Sequence, residues 1–164
     1  MIRLIDAALL DEVIAEARTS PRGRKHRNFH AADSQPAHRL LNAIEPGSYV
    51  APHRHRHPDK GETMLVLHGT LGLVTFDDTG AVVNAVKVSH GVTGGNPRGS
   101  TPIGVDIPHD TWHTVFALES GTVFFEAKAG PYVPLAADEK ASWAPAEGDP
   151  AAAACLARWV RLLD

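Results

Sequence analysis

The sequence predicts an all-β domain, either a sandwich or a barrel, with a helix at each end of the chain. Three observations support this prediction. Between residues 39 and 128, short runs rich in Val, Leu, Ile and Thr alternate with Gly, Pro and Asp turn signals. The turns are closely spaced, whereas strands alternating with helices would give longer repeats. Helical periodicity is confined to the two ends of the chain.

The composition indicates one globular domain spanning residues 1–164. Hydrophobic residues make up 43% of the chain, and the net charge of −3 gives no reason to expect nucleic acid or an acidic membrane as a partner. The single cysteine, Cys155, excludes an internal disulfide and any multi-thiolate metal site. Acidic residues interrupt the N-terminal segment, and no apolar run reaches the length of a membrane span. We therefore expect a soluble, cytoplasmic protein.

Residues 1–20 predict an amphipathic helix. Asp6 is suited to cap its N-terminus, and Ser20-Pro21 is suited to end it. The apolar side chains recur at helical spacing, which gives the helix one face to bury; they are Leu9, Leu10, Val13, Ile14 and Ala17.

The central part of the chain, residues 39–128, predicts the strands of the barrel core. Eight runs have strand character: Arg39–Glu45, Tyr49–His57, Glu62–His68, Leu71–Phe76, Val82–Val88, Val105–Pro108, Trp112–Leu118 and Thr122–Lys128. The glycine-rich segment His90–Gly104 predicts a long loop. Residues 129–164 form a C-terminal extension that is irregular at first and ends in a predicted helix, Ala151–Leu163.

Three histidines at alternate positions, His53, His55 and His57, are the most informative feature for function. Alternate side chains of an extended strand share one face, so all three can point the same way. A turn separates them from Glu62, and His113 follows on a later strand. Imidazoles and a carboxylate without thiolates suit one divalent transition metal: Fe, Mn, Ni, Co or Zn.

Two further sets of polar residues are candidates for ligand binding. The basic segment Arg22–His30 is too polar for a core. It is either a solvated loop or a rim that recognises an anionic or sugar-bearing ligand through Arg27, Asn28 and His30. Glu126 and Lys128 share one face of their strand, where they line a cavity or face solvent as an ion pair.

The chain resembles the cupin superfamily in its two sequence motifs. The first motif, a glycine, a His-x-His pair, a glutamate and a closing glycine, matches at Gly47, His53, His55, Glu62 and Gly69. The second matches at Pro108 and His113, although Asp110 and Ala117 replace its glycine and asparagine. The resemblance implies a single jelly-roll β-barrel whose metal is held by His53, His55, Glu62 and His113.

The spacing within the first motif leaves two choices for the histidine pair. The distance from Gly47 favours His53 and His55, whereas the distance to Glu62 favours His55 and His57. Pro58 restricts His57 to the frayed end of the strand. We therefore prefer His53 and His55 and retain His57 as the alternative ligand.

More narrowly, the chain resembles the WbuC family of cupin-fold metalloproteins. The stretches that carry this resemblance lie between Arg22 and Gly148; they are Asn28-Phe-His30, residues 40–50, Pro52–His55, Phe76–Gly80, Gly130–Pro134 and Trp143–Gly148. That family is associated with gene clusters for bacterial surface polysaccharide, especially O-antigen. The resemblance implies a metal-binding cupin that binds or acts on a small polar molecule, such as a sugar or sugar nucleotide.

The type of activity stays open at this point. A metal-dependent isomerase or epimerase and an Fe(II)-dependent dioxygenase both suit such a site, and so does a non-catalytic metallo-cupin that binds or senses a ligand. The expected partners are a small-molecule ligand and a second copy of the chain in a homodimer. The dimer is expected from the cupin resemblance and from the prevalence of two-fold oligomers.

Overall fold

The structure is a computed structural model, and it describes residues 2–91 and 101–164. Most of the predicted loop His90–Gly104 lies outside the described residues, since residues 92–100 are not among them. The described parts of the chain form two antiparallel sheets with short helices on their outer faces.

The strands of both sheets are antiparallel throughout the described residues. The larger sheet has the order β1 (Arg24–Asn28), β2 (Ala37–Ile44), β8 (Thr122–Ala129), β3 (Glu62–His68) and β6 (Gly104–Ile107). The smaller sheet has the order β5 (Val82–Ser89), β4 (Thr70–Phe76) and β7 (Trp112–Ala117). This architecture confirms the predicted all-β jelly-roll class.

The main core fills the space between the two sheets. Met64 and Val66 from β3 pack there against Leu73 from β4 and Val115 from β7. Burial alternates along β3, so that Glu62 has the same inward orientation as Met64 and Val66. The alternation of one strand therefore carries a carboxylate into the interior beside apolar side chains.

Each sheet is covered on its outer face by a helix. Helix α1 (Ala7–Thr19) begins at Asp6, whose carboxylate accepts a hydrogen bond of 3.0 Å from the Leu9 amide, as predicted. Its buried face packs on Leu41 of the larger sheet. Helix α2 (Ala152–Val160) packs against the smaller sheet through Trp159 and Leu156. Short 3₁₀ turns occur at Ala137–Glu139 and Arg161–Leu163.

Two of the predicted elements differ from the structure. The basic segment is not a loop: residues 24–28 form β1 and pair with β2, with Asn28 opposite Leu40. Its side chains are polar on both faces, so hydrophobic alternation does not reveal the strand. Conversely, the predicted strand Tyr49–His57 is an extended segment whose pairing is limited to isolated bridges at His53.

In the described part of the chain, no helix combines the length and apolar character needed to cross a membrane.

Candidate metal centre

The segment Pro52–Arg56 runs beside the start of β7 and carries the alternating histidines. His53 and His113 exchange backbone hydrogen bonds, with N–O distances of 3.0 Å and 2.9 Å. The Asp110 amide donates to the His55 carbonyl at 2.6 Å. These bonds place side chains that are 60 residues apart in sequence on neighbouring backbone segments.

Four polar side chains converge where the Pro52–Arg56 segment meets the first residue of β3. One ligand atom from each of His53, His55 and Glu62 lies within 4.8 Å of the others. His113 joins them, because its Nε2 is 3.1 Å from Glu62 Oε2 and its ring centroid is 4.5 Å from that of His53. Glu62 is only 3% exposed. The side chain of His57, the alternative ligand, is 67% exposed and lies 3.8 Å from Asp59.

The hydrogen bonds of two histidines determine which nitrogen faces the centre. Nδ1 of His53 is 3.1 Å from the Ala51 carbonyl, and Nδ1 of His113 is 2.9 Å from the Thr111 carbonyl. A carbonyl only accepts, so Nδ1 of each ring carries a proton. In the neutral form of such a ring, Nε2 carries a lone pair, as a metal ligand must. Burial, with a contribution from His113, lowers the pKa of His53 to about 3, so this ring is neutral near pH 7.

The third histidine contributes a buried nitrogen without a hydrogen bond. His55 Nε2 is 3.0 Å from Glu62 Oε1, but the angles do not make a hydrogen bond, and the atom has no other partner among the described residues. A buried nitrogen of this kind is costly unless something else binds it. A metal cation satisfies it.

Glu62 is ionised at this centre. Burial opposes ionisation of its carboxyl, but His113, His55 and the Lys128 ammonium hold its pKa well below its usual range. Nε2 of His113 lies 3.1 Å from the Glu62 Oε2 atom. A proton on that nitrogen or a metal cation would satisfy both atoms, and three imidazoles with one carboxylate form a donor set that suits a divalent transition metal. The residues present therefore fit a divalent metal.

A charged network continues from Glu62 along β8. Lys128 Nζ is 3.0 Å from Glu62 Oε1 and 2.5 Å from Glu126 Oε1. The other oxygen of Glu126 accepts a hydrogen bond of 2.6 Å from the Asn42 amide. Glu126 is buried and Lys128 is half-buried, so the pair points into the barrel rather than to solvent. The sequence left both placements open.

These groups border a cavity of about 620 Å³, a size typical of small-molecule sites. One wall carries His53, Glu62 and His113, and another carries Glu126 and Lys128. The remaining lining is apolar inside the barrel and polar near β1; it includes Ile44, Met64, Phe124, Asn28 and Asn42. An occupant of this cavity would reach the metal centre and the charged pair together.

The proposed rim residues occupy different places in the structure. Asn28 borders the main cavity and a second one of about 440 Å³. Arg27 also borders the main cavity, but its guanidinium lies on α1, 2.5 Å from Glu16. The buried His30 ring stacks on His38 with a centroid distance of 4.0 Å and borders the second cavity.

The structure adds a cavity residue that the sequence analysis did not select. His26 lines both cavities beside Asn28. The signal that could have identified it is the period of two along β1, which places His26 and Asn28 on one face and Arg27 on the other. That signal requires knowing that the basic segment is a strand.

One known family matches this chain. It is described as "Domain of unknown function (DUF6016)", and it matches residues 5–88, just over half of the 164 residues. The chain belongs to this family. The matched part contains His53, His55 and Glu62, while His113 lies beyond it. No curated protein sequence matches the chain significantly.

Solved structures resemble the chain in fold at low sequence identity. KdgF from Halomonas sp. has a TM-score of 0.50 at 15% identity, over 70% of this chain and 85% of its own. SPY1581 from Streptococcus pyogenes, a conserved protein of unknown function, has a TM-score of 0.51 at 9% identity, over 81% and 91% of the two chains. SO0799 from Shewanella oneidensis has a TM-score of 0.54 at 11% identity, over 79% and 81%. KdgF has the cupin fold, and this likeness shows that the chain shares that fold.

Proposed function

We propose that this DUF6016 protein is a metal-dependent cupin in which His53, His55, Glu62 and His113 hold one divalent transition metal. The observation that carries the proposal is the orientation of the lone pairs. Nδ1 of His53 and His113 donates to backbone carbonyls, which turns Nε2 toward the ionised Glu62. Second-shell bonds of this type are typical of metal-binding histidines.

The donor set restricts the metal without identifying it. Three imidazoles and a carboxylate suit Fe(II), Mn(II), Ni(II), Co(II) or Zn(II), and the chain offers no second thiolate. A bound ion would polarise a carbonyl or orient vicinal oxygens of a ligand. The protein itself supplies an open cavity on one side of the centre.

We further propose that the cavity binds a small polar molecule with an anionic group. Lys128 presents an ammonium next to the candidate metal centre, and Asn28 of β1 borders the same cavity. Support for a sugar or sugar nucleotide of surface-polysaccharide synthesis comes from the sequence resemblance to the WbuC family. Polar groups on one wall and apolar groups on another suit the two faces of a sugar ring.

One observation favours acid–base chemistry over oxygen chemistry. Glu126 Oε1 is buried and makes no hydrogen bond with acceptable angles, although Lys128 Nζ is 2.5 Å away. Such a carboxylate beside the metal centre is placed to take a proton from a bound ligand, and the Lys128 ammonium is placed to stabilise the resulting anion. This arrangement supports an isomerase or epimerase more than an Fe(II)-dependent dioxygenase.

Metal analysis of the natively purified protein tests the proposal. We expect about one divalent metal per chain, as a single four-ligand site holds. Replacement of His53, His55 or His113 by Ala should remove the metal, whereas His57→Ala should leave most of it. Full stoichiometry in two of the first three variants would contradict the ligand assignment. Loss of metal in His57→Ala as complete as in His53→Ala would transfer the assignment to the alternative pair.

A second measurement separates the kinds of activity. Proton NMR in D₂O, with the metal-loaded protein and a panel of sugar nucleotides, detects exchange at a carbon next to a carbonyl or ring oxygen. An oxygen electrode with the same mixtures detects oxygenation. We expect exchange that is lost in Glu126→Gln. Oxygen consumption without exchange would identify the dioxygenase, and binding without either signal would identify a ligand-binding protein.

A further inference from the structure

The segment that carries the metal-binding histidines has arginines on its opposite face. His53 and His55 point into the barrel, and Arg54 and Arg56 alternate with them. Because the segment has no continuous strand ladder, backbone pairing fixes it at few points. The outward side chains are therefore available to hold the inward ones in place.

Arg54 makes contacts with three separate parts of the fold, and its side chain is only 16% exposed. Its Nη1 is 3.0 Å from Asp78 after β4, and its Nε is 3.4 Å from Asp110 before β7. The Nε also donates to the Asp138 carbonyl at 3.3 Å. The guanidinium carbon lies 4.4 Å from the ring centroid of Trp112, which is a cation–π geometry.

These partners are themselves connected to the other metal-binding segment. Asp78 accepts a hydrogen bond of 3.0 Å from Trp112 Nε1, and Trp112 directly precedes His113. Asp110 donates its amide to the His55 carbonyl at 2.6 Å. Arg54 thus contacts residues next to the ligands on both segments.

Asp110 occupies a backbone conformation that favours glycine. Its φ is +60°, and among the described residues it is the one position outside glycine with a positive φ. The cupin motif has a glycine at this position, and glycine adopts a positive φ without steric cost, whereas aspartate does not. What the aspartate adds is a carboxylate within 3.4 Å of Arg54.

We propose that Arg54 and Asp110 are positioning residues that hold His53 and His55 in register with Glu62 and His113 for metal binding. This inference rests on the proposed metal-binding function. The need for such positioning follows from the segment itself, because its backbone pairing is limited to isolated bridges at His53. A pre-formed set of ligands binds the metal without first ordering the segment.

The experiment measures metal affinity in variants of the full chain. Arg54→Ala and Arg54→Lys change the stacked guanidinium, and Asp110→Asn and Asp110→Gly remove the carboxylate but tolerate the positive φ. The matched control is Arg18→Ala, which removes an arginine–carboxylate pair to Glu45 at 3.1 Å beside the β7–β8 turn. The readouts are Zn²⁺ and Co²⁺ titrations of metal-free protein, the visible spectrum of the Co²⁺ form, and the unfolding midpoint without metal.

We expect Arg54→Ala and Asp110→Asn to weaken Zn²⁺ binding at least about tenfold, as loss of an outer-shell partner does. The Co²⁺ spectrum should change in the same variants, and Arg54→Lys should restore part of the affinity. Arg18→Ala should match wild type in both metal readouts. A merely structural role would lower the unfolding midpoint without altering the spectrum.

The possible failures point to different conclusions. Wild-type protein that binds neither Zn²⁺ nor Co²⁺ would contradict the proposed function itself. Wild-type protein that binds metal, with unchanged affinity and spectrum in Arg54→Lys and Asp110→Asn, would contradict the positioning role alone. These two conservative variants keep the test valid if Arg54→Ala fails to fold.

Discussion

Glu62 is the residue on which the two halves of the site depend. It is the first residue of β3, and the inward alternation of that strand carries it to His53, His55 and His113. On its other side it accepts a hydrogen bond from Lys128 at 3.0 Å. One carboxylate is thus both the proposed metal ligand and the counter-ion of the cavity lysine.

Replacement of Glu62 by Gln tests the proposed role of Glu62 as a metal ligand. The amide keeps the shape of the side chain but loses the charge. Loss of an outer-shell partner alone lowers metal affinity by up to about a hundredfold, so loss of a ligand charge should lower Zn²⁺ affinity by at least that much. Lys128 retains Glu126 at 2.5 Å, which limits the damage to folding. Titration of the metal-free protein measures the Zn²⁺ affinity. The matched control is Glu126→Gln, because Glu126 lies two residues before Lys128 on β8. Equal loss in both variants would contradict the role of Glu62 as a ligand.

His53, His55 and Glu62 could be selected from the sequence as candidate ligands because they lie close together in it. His53 and His55 lie within ten residues of Glu62, and a turn between them brings the strand back. The contacts of Arg54 could not be predicted, because it meets Asp78 and Trp112 only through the pairing of β4 with β7. Contacts between distant segments leave no pattern in a single sequence.

At the scale of elements, the strands differ in how clearly the sequence predicts them. The bounds of β3, Glu62–His68, were predicted to the residue, because alternation is clear and Gly69 follows. Gly69 has a φ of +73°, and a Cβ there would lie 2.5 Å from Thr122 Oγ1, so the turn requires glycine. Strand β1 was missed, because its outward face is covered by ion pairs to α1 rather than by apolar contacts.

The two faces of β1 should respond differently to substitution. Arg27 pairs with Glu16 of α1 at 2.5 Å while partly exposed, so Arg27→Ala should lower the free energy of unfolding by about 1 kcal/mol or less. Asn28 borders the cavity, so Asn28→Ala should weaken ligand binding with little effect on stability.

Denaturant unfolding and an NMR titration with UDP-glucose as the probe measure these two effects. The metal content should stay unchanged in both variants. If Arg27→Ala weakens UDP-glucose binding and Asn28→Ala does not, the roles of the two faces are reversed from this prediction.

At the scale of the whole molecule, the structure consists of layers in the order α1, larger sheet, smaller sheet and α2. The core between the sheets and the metal centre share one interior, with Met64 and Val115 lining the cavity next to Glu62. Glu62 and His113 are therefore held by strands of the barrel, whereas His53 and His55 lie on a segment with only isolated bridges. The helices take no part in the centre but seal the sheets from outside.

The homodimer remains a prediction at this scale. Two-fold dimers are the commonest oligomers, and the cupin resemblance points the same way. Light scattering at micromolar concentration should give about twice the chain mass. A clean mass near 17.6 kDa would contradict the dimer.

The docking of α2 should make the stability of the molecule sensitive to alkaline pH. Tyr49 is buried, stacks on Trp159 of α2 at 5.6 Å, and donates a hydrogen bond of 2.7 Å to the Pro145 carbonyl. Burial raises the pKa of its phenol, and the nearby Cys155 and Asp149 add to the shift. The folded chain therefore holds the phenolic proton more tightly than the unfolded chain does.

The sign of the pH effect follows from this difference. A group whose pKa is higher in the folded state stabilises fully below its unfolded value, about 10 for tyrosine, and this stabilisation is lost as pH rises toward the folded value. Denaturant unfolding between pH 8 and about 11 should show a steeper fall for wild type than for Tyr49→Phe. Tyr49→Phe should also cost about 1 kcal/mol at neutral pH, because the Pro145 carbonyl loses its donor. The control is Tyr132→Phe at the 59% exposed second tyrosine, which should follow wild type at every pH. Parallel curves for wild type and Tyr49→Phe would show that α2 stays docked when the phenol ionises.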